Sequence, residues 1–333
     1  MSYRKIHLQF TTTSRYQGYI SVVRIVHGSV MAKSKQDVTH FLHITKRKHK
    51  KQYKKLKKLF RHNEFLIDVK KPLKERQMQK YWKFKHNLFS KINSSPIYMT
   101  HELWFSVTPE MIAIFLARFI KACLPDATKV MDVFCGGGGN TIQLAKVFPK
   151  VYGVDFSLEH LYCTYQNAKA YDVVDRMWLK HGSWPDMVAK GRITKLGLDC
   201  VFGSPPWGGP QYLSQDEYDL ENSLQPTGIT EMLRGMLTVS QNVIMFLPKN
   251  SNLKQLARAT RKVQGVNAKC KVVYVKQNGF MKGILCMWGD ALTNYEEAID
   301  DDIGIKNNFV DVQGSFEDKG KAKKIMVSYA IDG

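Results

Sequence analysis

Val130-Met131-Asp132-Val133-Phe134-Cys135-Gly136-Gly137-Gly138-Gly139-Asn140-Thr141 is the stretch whose reading decides the fold. The apolar run from Lys129 to Phe134 reads as a short strand. Four glycines follow, and a helix is expected to run on to about Phe148. Glycine takes positive φ and lets backbone approach a ligand closely, so the turn suits a dinucleotide or S-adenosylmethionine. Asp132 favours the second. A carboxylate there attracts an ammonium or sulfonium group and repels a pyrophosphate. Asp155 ends the next apolar run, 23 residues on, where an acid that binds both ribose hydroxyls is usually found. Gly182-Ser183 follows the third strand position, which places Ser183 to face the adenine.

The flanking pattern alternates strands and helices. Thr108-Pro109-Glu110 reads as a helix start, with a capping hydroxyl, Pro at the first helical position and an acid in the first turn, and the helix should reach Cys123. Strands are expected over Val151–Asp155, Asp199–Gly203, Asn242–Leu247, Lys271–Lys276 and Gly283–Trp288, with a helix starting at Ser157. Such alternation gives a mostly parallel sheet covered on both faces. The closing pair of adjacent strands fits the α/β, Rossmann-like class I S-adenosylmethionine-dependent methyltransferase fold, here with a small helical N-terminal extension.

Ser204-Pro205-Pro206-Trp207 follows directly on the Asp199–Gly203 strand. In doubly wound sheets, ligands bind beyond the carboxyl ends of the strands. Two prolines fix φ and stiffen the loop, and a stiff loop can hold an acceptor nitrogen in line with a methyl group. The pattern suits methylation of an amino nitrogen. The Ser204 hydroxyl and nearby carbonyls can accept from an NH₂ group, and Trp207 can stack on a base, the more strongly if that base is cationic. No triad or metal-ligand cluster is visible.

The net charge of +21 is unevenly spread: residues 1–100 hold 24 Lys/Arg against 4 Asp/Glu, and residues 101–333 hold 26 against 25. A polyanionic partner of the N-terminal third is the natural reading. Residues 1–60 are read as a basic, disordered tail containing the run Lys46 to Lys58, suited to nuclear targeting or sequence-blind phosphate contact. Residues 61–105 are read as the helical extension, where Lys80, Tyr81, Trp82, Lys83, Phe84 and Lys85 serve either a core with a solvated face or a nucleotide. Residues 106–293 would be the methyltransferase domain and 294–333 a flexible tail. Met31 could be the native start. The six cysteines lack CxxC spacing, which fits reduced core residues and no zinc site. No membrane span or signal peptide is expected.

The strings Lys80-Tyr81-Trp82, Trp104 to Glu110, Asp132 to Gly136, Gly138 to Gln143, Ser204 to Pro210 and Phe246-Leu247-Pro248 resemble the trimethylguanosine synthase family, RNA cap guanine-N2 methyltransferases, in order from about Lys80 to Gly289. The resemblance implies S-adenosyl-L-methionine as cofactor and the 7-methylguanosine cap of small nuclear and nucleolar RNA as substrate, taken to 2,2,7-trimethylguanosine in the nucleus and nucleolus. It implies that Ser204, Pro205 and Trp207 serve catalysis, with Trp207 on the cap base. Phe89, Glu102, Thr108, Asp132, Cys135, Gly136, Asn140, Asp155 and Ser183 would hold the cofactor. Lys80, Lys249 and Asn250 would hold the cap phosphates. Some relatives carry Arg where this chain has Lys249, so a point charge replaces a bidentate fork. The basic N-terminal tail would meet small-ribonucleoprotein core proteins. An adenine or cytosine amino-methyltransferase shares the two central motifs and is the alternative.

Overall fold

The computed structural model describes residues 42–191, 193–277 and 279–295. The expectations for Met31 and for the C-terminal tail from 296 on lie outside them. Seven strands form one sheet: β1 (Lys129–Asp132), β2 (Lys150–Asp155), β3 (Met177–His181), β4 (Cys200–Gly203), β5 (Val243–Leu247), β6 (Lys271–Gln277) and β7 (Phe280–Trp288). Their order is β3-β2-β1-β4-β5-β7-β6. Every pairing from β3 to β5 is parallel, and β7 runs antiparallel to both neighbours. The expected strands are all present, and β7 begins three residues earlier than Gly283 because its pairing with β6 continues to the turn.

The helices are α1 (Lys50–His62), α2 (Gln79–Lys83), α3 (Leu103–Ser106), α4 (Glu110–Cys123), α5 (Gly139–Val147), α6 (Leu158–Ala170), α7 (Trp184–Ala189), α8 (Ile229–Leu237), α9 (Leu253–Gln264) and α10 (Asp290–Thr293). The central strands are apolar on both faces, as a parallel sheet covered on both sides requires; all five residues of β5 are buried. Val130, Cys200, Phe202 and Ile244 face the core shared with α4, α5 and α6. Met131, Val133, Val201 and Val243 face the core shared with α8 and α9. Among the described residues, no helix is long and apolar enough to cross a membrane.

Two expectations are corrected. Residues 42–60 are not a structureless tail, since α1 fills most of them. Its cations conceal an apolar stripe: Leu56 is 0 % and Leu59 6 % exposed. Phe60 meets the Tyr162 ring of α6 edge-on, centroids 5.0 Å apart. A helix of this length draws its stability from such tertiary contact rather than from propensity. At α4, Pro109 occupies the cap position and Thr108 does not cap; its Oγ1 instead accepts from Asn140 Nδ2 at 2.8 Å.

The extension, residues 63–106, is a string of short helical segments joined by turns, and it docks through Glu110. This carboxylate is 6 % exposed. It accepts from Gln143 Nε2 at 3.1 Å, from the Tyr171 hydroxyl at 3.0 Å and from the Ser90 backbone N–H, with Lys146 Nζ at 3.7 Å. One buried charge thereby joins α4, α5, α6 and the extension. Glu110→Ala leaves Ser90 N–H and Tyr171 OH without their acceptor, and should lower the unfolding free energy in urea by about 2–4 kcal/mol. Unchanged stability would show that these contacts are not formed in solution.

Candidate active site

The C-terminal edges of β1, β2 and β4 lie side by side, and each delivers one part of the site. Asp132 ends β1, fully buried. It accepts from Thr141 Oγ1 at 2.7 Å and from Phe134 N at 3.3 Å. Burial, with repulsion from Asp155, pushes its carboxyl up to about 7, against the hydrogen bond from Thr141. No described cation is paired with it. An ammonium or sulfonium group is the partner such a carboxylate fits.

The glycine turn is held from behind by α6. Gly136 and Gly138 have φ of 50° and 90°, conformations that other residues adopt at a cost. Thr164 Oγ1 donates to Gly136 O at 2.6 Å, and Asn167 Nδ2 donates to Gly137 O at 2.9 Å. Leu103 of α3 lies so close that a Cβ on Gly137 would sit 3.0 Å from it. Asn140 stands in the first turn of α5, and its Oδ1 is buried without a hydrogen-bond partner. An orphaned buried acceptor beside this turn fits a ligand that donates there.

Asp155 ends β2, 7 % exposed. Its Oδ2 accepts from Gly136 N at 2.9 Å and its Oδ1 from Ser157 N at 2.8 Å. Gly182 N donates to Asp155 O at 3.0 Å, which places Ser183 next to it. His160, absent from the sequence reading, joins two of the expected residues: Nδ1 lies 3.5 Å from Asp155 Oδ1 and Nε2 3.5 Å from Glu102 Oε2. Burial opposes charge on His160, but hydrogen bonds to Asp155 and Glu102 outweigh it and raise the imidazole to about 9. The same contact holds Glu102 below its ordinary value. The only sequence signal for His160 was its place in the turn after Ser157, three residues past the cap.

Past β4, Ser204 is half-buried, Pro205 buried and Pro206 exposed. Asp132 pairs with Phe202 across the sheet, so Ser204, two residues further on, lies past the level of Asp132 where the adjoining strand ends. Trp207 is half-buried, with ring centroids 5.3 Å from both Tyr212 and Phe246. Its indole Nε1 is buried without a partner. The extension reaches this loop: a Cβ on Gly209 would sit 3.8 Å from Phe105.

Three expected site residues fare differently. Phe89 is 1 % exposed and packs on Tyr171, past the C-terminal end of α6, so its ring is enclosed by the core that docks the extension. The Cys135 thiol would be 3.3 Å from a Cβ on Gly153 of β2, and its carbonyl accepts from Gly138 N within the turn, so it is a packing residue of the turn. The Asn250 amide donates to Gln215 O at 2.8 Å and to Tyr212 O at 3.3 Å, so its donors hold the loop that carries Tyr212. Lys249 and Lys80 are exposed, Lys80 with its ammonium 5.0 Å from the centroid of the Tyr81 ring. A lysine not anticipated, Lys282 of β7, has its ammonium destabilised by burial and by Lys249. Like charges held together suit a polyanion.

A buried acid paired with no described cation and set beside a glycine turn, a second acid at the end of the next strand and a diproline loop past β4, on a sheet of this strand order, fit a class I S-adenosylmethionine-dependent methyltransferase. Comparison with known proteins narrows the choice. A model of the RNA cap guanine-N2 methyltransferase family matches residues 127–291. The chain is 62 % identical over 253 residues to the trimethylguanosine synthase of Saccharomyces cerevisiae, spanning 76 % of this chain and 80 % of that one. It is 30 % identical over 210 residues to the trimethylguanosine synthase of Schizosaccharomyces pombe, spanning 63 % and 84 %. A crystal structure assigned as a methyltransferase from Porphyromonas gingivalis shares the fold at a TM-score of 0.50 and 13 % identity, over 77 % of this chain and 56 % of that one. The chain belongs to the RNA cap guanine-N2 methyltransferase family.

Two outcomes are expected. Affinity for S-adenosylhomocysteine, whose ammonium needs an ionised Asp132, should rise as pH passes upward through about 7 and fall sharply in Asp132→Ala; calorimetric titration with a flat pH profile would remove the role. His160 has a folded value near 9 against 6.5 unfolded. It therefore contributes stability that is complete below pH 6.5 and disappears as pH rises through 9. Denaturant melts of wild type and His160→Gln should diverge at pH 6 and converge by pH 10.

Proposed function

We propose that this chain converts the 7-methylguanosine cap of RNA to 2,2,7-trimethylguanosine by two successive methyl transfers to N2. We infer further that the RNAs are small nuclear and nucleolar, met in the nucleus and nucleolus. The observation that carries the reading is the half-buried Trp207, braced by Tyr212 and Phe246, on the loop that leaves the strand paired with the one Asp132 ends. The family membership and the names of both yeast relatives support it.

Bound S-adenosylmethionine supplies an electrophilic methyl group; Asp132, the glycine turn, Asn140, Asp155 and Ser183 are the residues that would hold it. The remaining work is positioning. The Trp207 face stacks on a base that N7 methylation has made cationic, a gain of roughly 0.5–2 kcal/mol over a neutral one. That preference accounts for N7 methylation preceding N2 methylation. Ser204 and the Pro205 region accept from the N2 hydrogens and turn its lone pair toward the methyl carbon. Lys249 and Lys282, with Lys80 on the extension, supply positive charge for the cap phosphates. The amino proton leaves to water after transfer, so no strong general base is needed.

The reading is tested with labelled cofactor and three acceptors: 7-methylguanosine diphosphate, guanosine diphosphate and an adenine-containing oligonucleotide. Label should enter the first in two steps and neither of the others. Transfer to the oligonucleotide alone would overturn it. Trp207→Ala should lower kcat/KM on the cap analogue by roughly 10- to 100-fold, the worth of one base–aromatic stack, with Trp207→Phe between it and the wild type.

A further inference from the structure

The outer face of α1 is a cationic stripe that catalysis at the strand ends leaves unused. Helical geometry sets Gln52, Tyr53, Leu56, Leu59 and Phe60 on one arc, and these are the buried or half-buried positions. The opposite arc carries Lys50, Lys51, Lys54, Lys57, Lys58 and Arg61, all exposed. Lys55, at the border, is paired with Glu159 in the first turn of α6. No acidic residue occurs between 42 and 63.

This arrangement conflicts with helix stability. Lys50–Lys54, Lys54–Lys58 and Lys57–Arg61 are like-charge pairs four residues apart, each of which weakens the helix. Burial of the apolar stripe overcomes the repulsion. A local cost carried by a well-packed element is what a functional surface looks like. The stripe is about 20 Å long and rigidly docked. The Lys55–Glu159 pair places it beside the start of α6, one residue from His160 and hence at the edge of the sheet where the site opens.

We propose that the solvent face of α1 binds the sugar-phosphate backbone of the substrate RNA downstream of its cap. The inference rests on the reading of the substrate as a capped RNA. A long polyanion is the partner whose charge and length match six unpaired-by-sequence cations in a row, and each contact releases a counterion whatever the base. The cap pocket then selects the end of the RNA, and α1 adds affinity without sequence preference.

The test is the quadruple variant Lys50→Gln, Lys54→Gln, Lys57→Gln, Arg61→Gln, in the full chain. Glutamine keeps helix propensity close to lysine and arginine, so the thermal midpoint should not fall. Fluorescence anisotropy with a short uncapped oligoribonucleotide should show at least about tenfold weaker binding, and a log–log salt slope shallower by roughly 3, at about 0.7 per lost phosphate contact. KM should rise for a capped oligoribonucleotide and stay unchanged for 7-methylguanosine diphosphate. Unaltered RNA binding would overturn the proposal and leave the stripe to an acidic protein partner. An equal rise in KM for both substrates would also overturn it. Failure of wild type to methylate the cap analogue, with RNA binding still dependent on α1, would support this surface and defeat the substrate reading instead.

Discussion

Asn167 is fully buried in α6, and its side-chain amide holds the N-terminal extension and the glycine turn as one body. Its Nδ2 donates to Tyr98 O at 3.0 Å and to Gly137 O at 2.9 Å, while its Oδ1 accepts from Tyr98 N at 2.8 Å. Each of those backbone groups would cost roughly 1–3 kcal/mol if left buried and unpaired. The placement of Leu103 against the turn and of Glu102 against His160 follows from this junction. So does the approach of Phe105 to the loop that carries Trp207. The extension is therefore part of the site's wall rather than an appendage to a finished domain.

The polar groups inside the molecule fall into two kinds. Glu110 is satisfied on every side by Gln143, Tyr171, Ser90 and Lys146, and its role ends with the protein. Asp132 has hydrogen bonds but no opposite charge among the described residues, so burial destabilises its ionised form. Asn140 Oδ1 and Trp207 Nε1 are likewise unmatched. Gln143 Oε1, Tyr218 Oη and Asn250 Oδ1 are also buried without a partner, so an unmatched polar atom does not by itself mark the site. The charge of Glu110 is completed from within, whereas that of Asp132 fits completion by a cationic ligand.

Most of the frame was legible in the sequence because hydrophobic period and turn chemistry are local signals. Asp132 and the glycines, Asp155 and Ser204-Pro205-Pro206-Trp207 each lie at a strand end that an apolar run announces. What escaped was non-local. The helix α1 was hidden because its stripe of Leu56 and Leu59 is outnumbered by lysine, and composition averages over the period that reveals it. His160 bridges Asp155, five residues before it, to Glu102, 58 residues before it, and no single-chain pattern links the second pair. Phe89 was expected to hold the cofactor, but its ring is spent on the core that docks the extension. Asn250 sits where a phosphate donor could be, yet the carbonyls of a loop 35 residues away claimed its amide.

The antiparallel course of β7 has a consequence for the ways this enzyme can vary. A parallel strand presents its end at the reactive edge, so changing it disturbs the chain's path into the next helix. The reversed strand presents its beginning there: Lys282 leaves a tight hairpin from β6 and stands near Lys249 at the end of β5. A hairpin tip can be lengthened, shortened or recharged without rerouting any crossover. The charge near Lys249 can thus drift through mutation at the β6–β7 tip while the ends of β1 and β4 stay fixed.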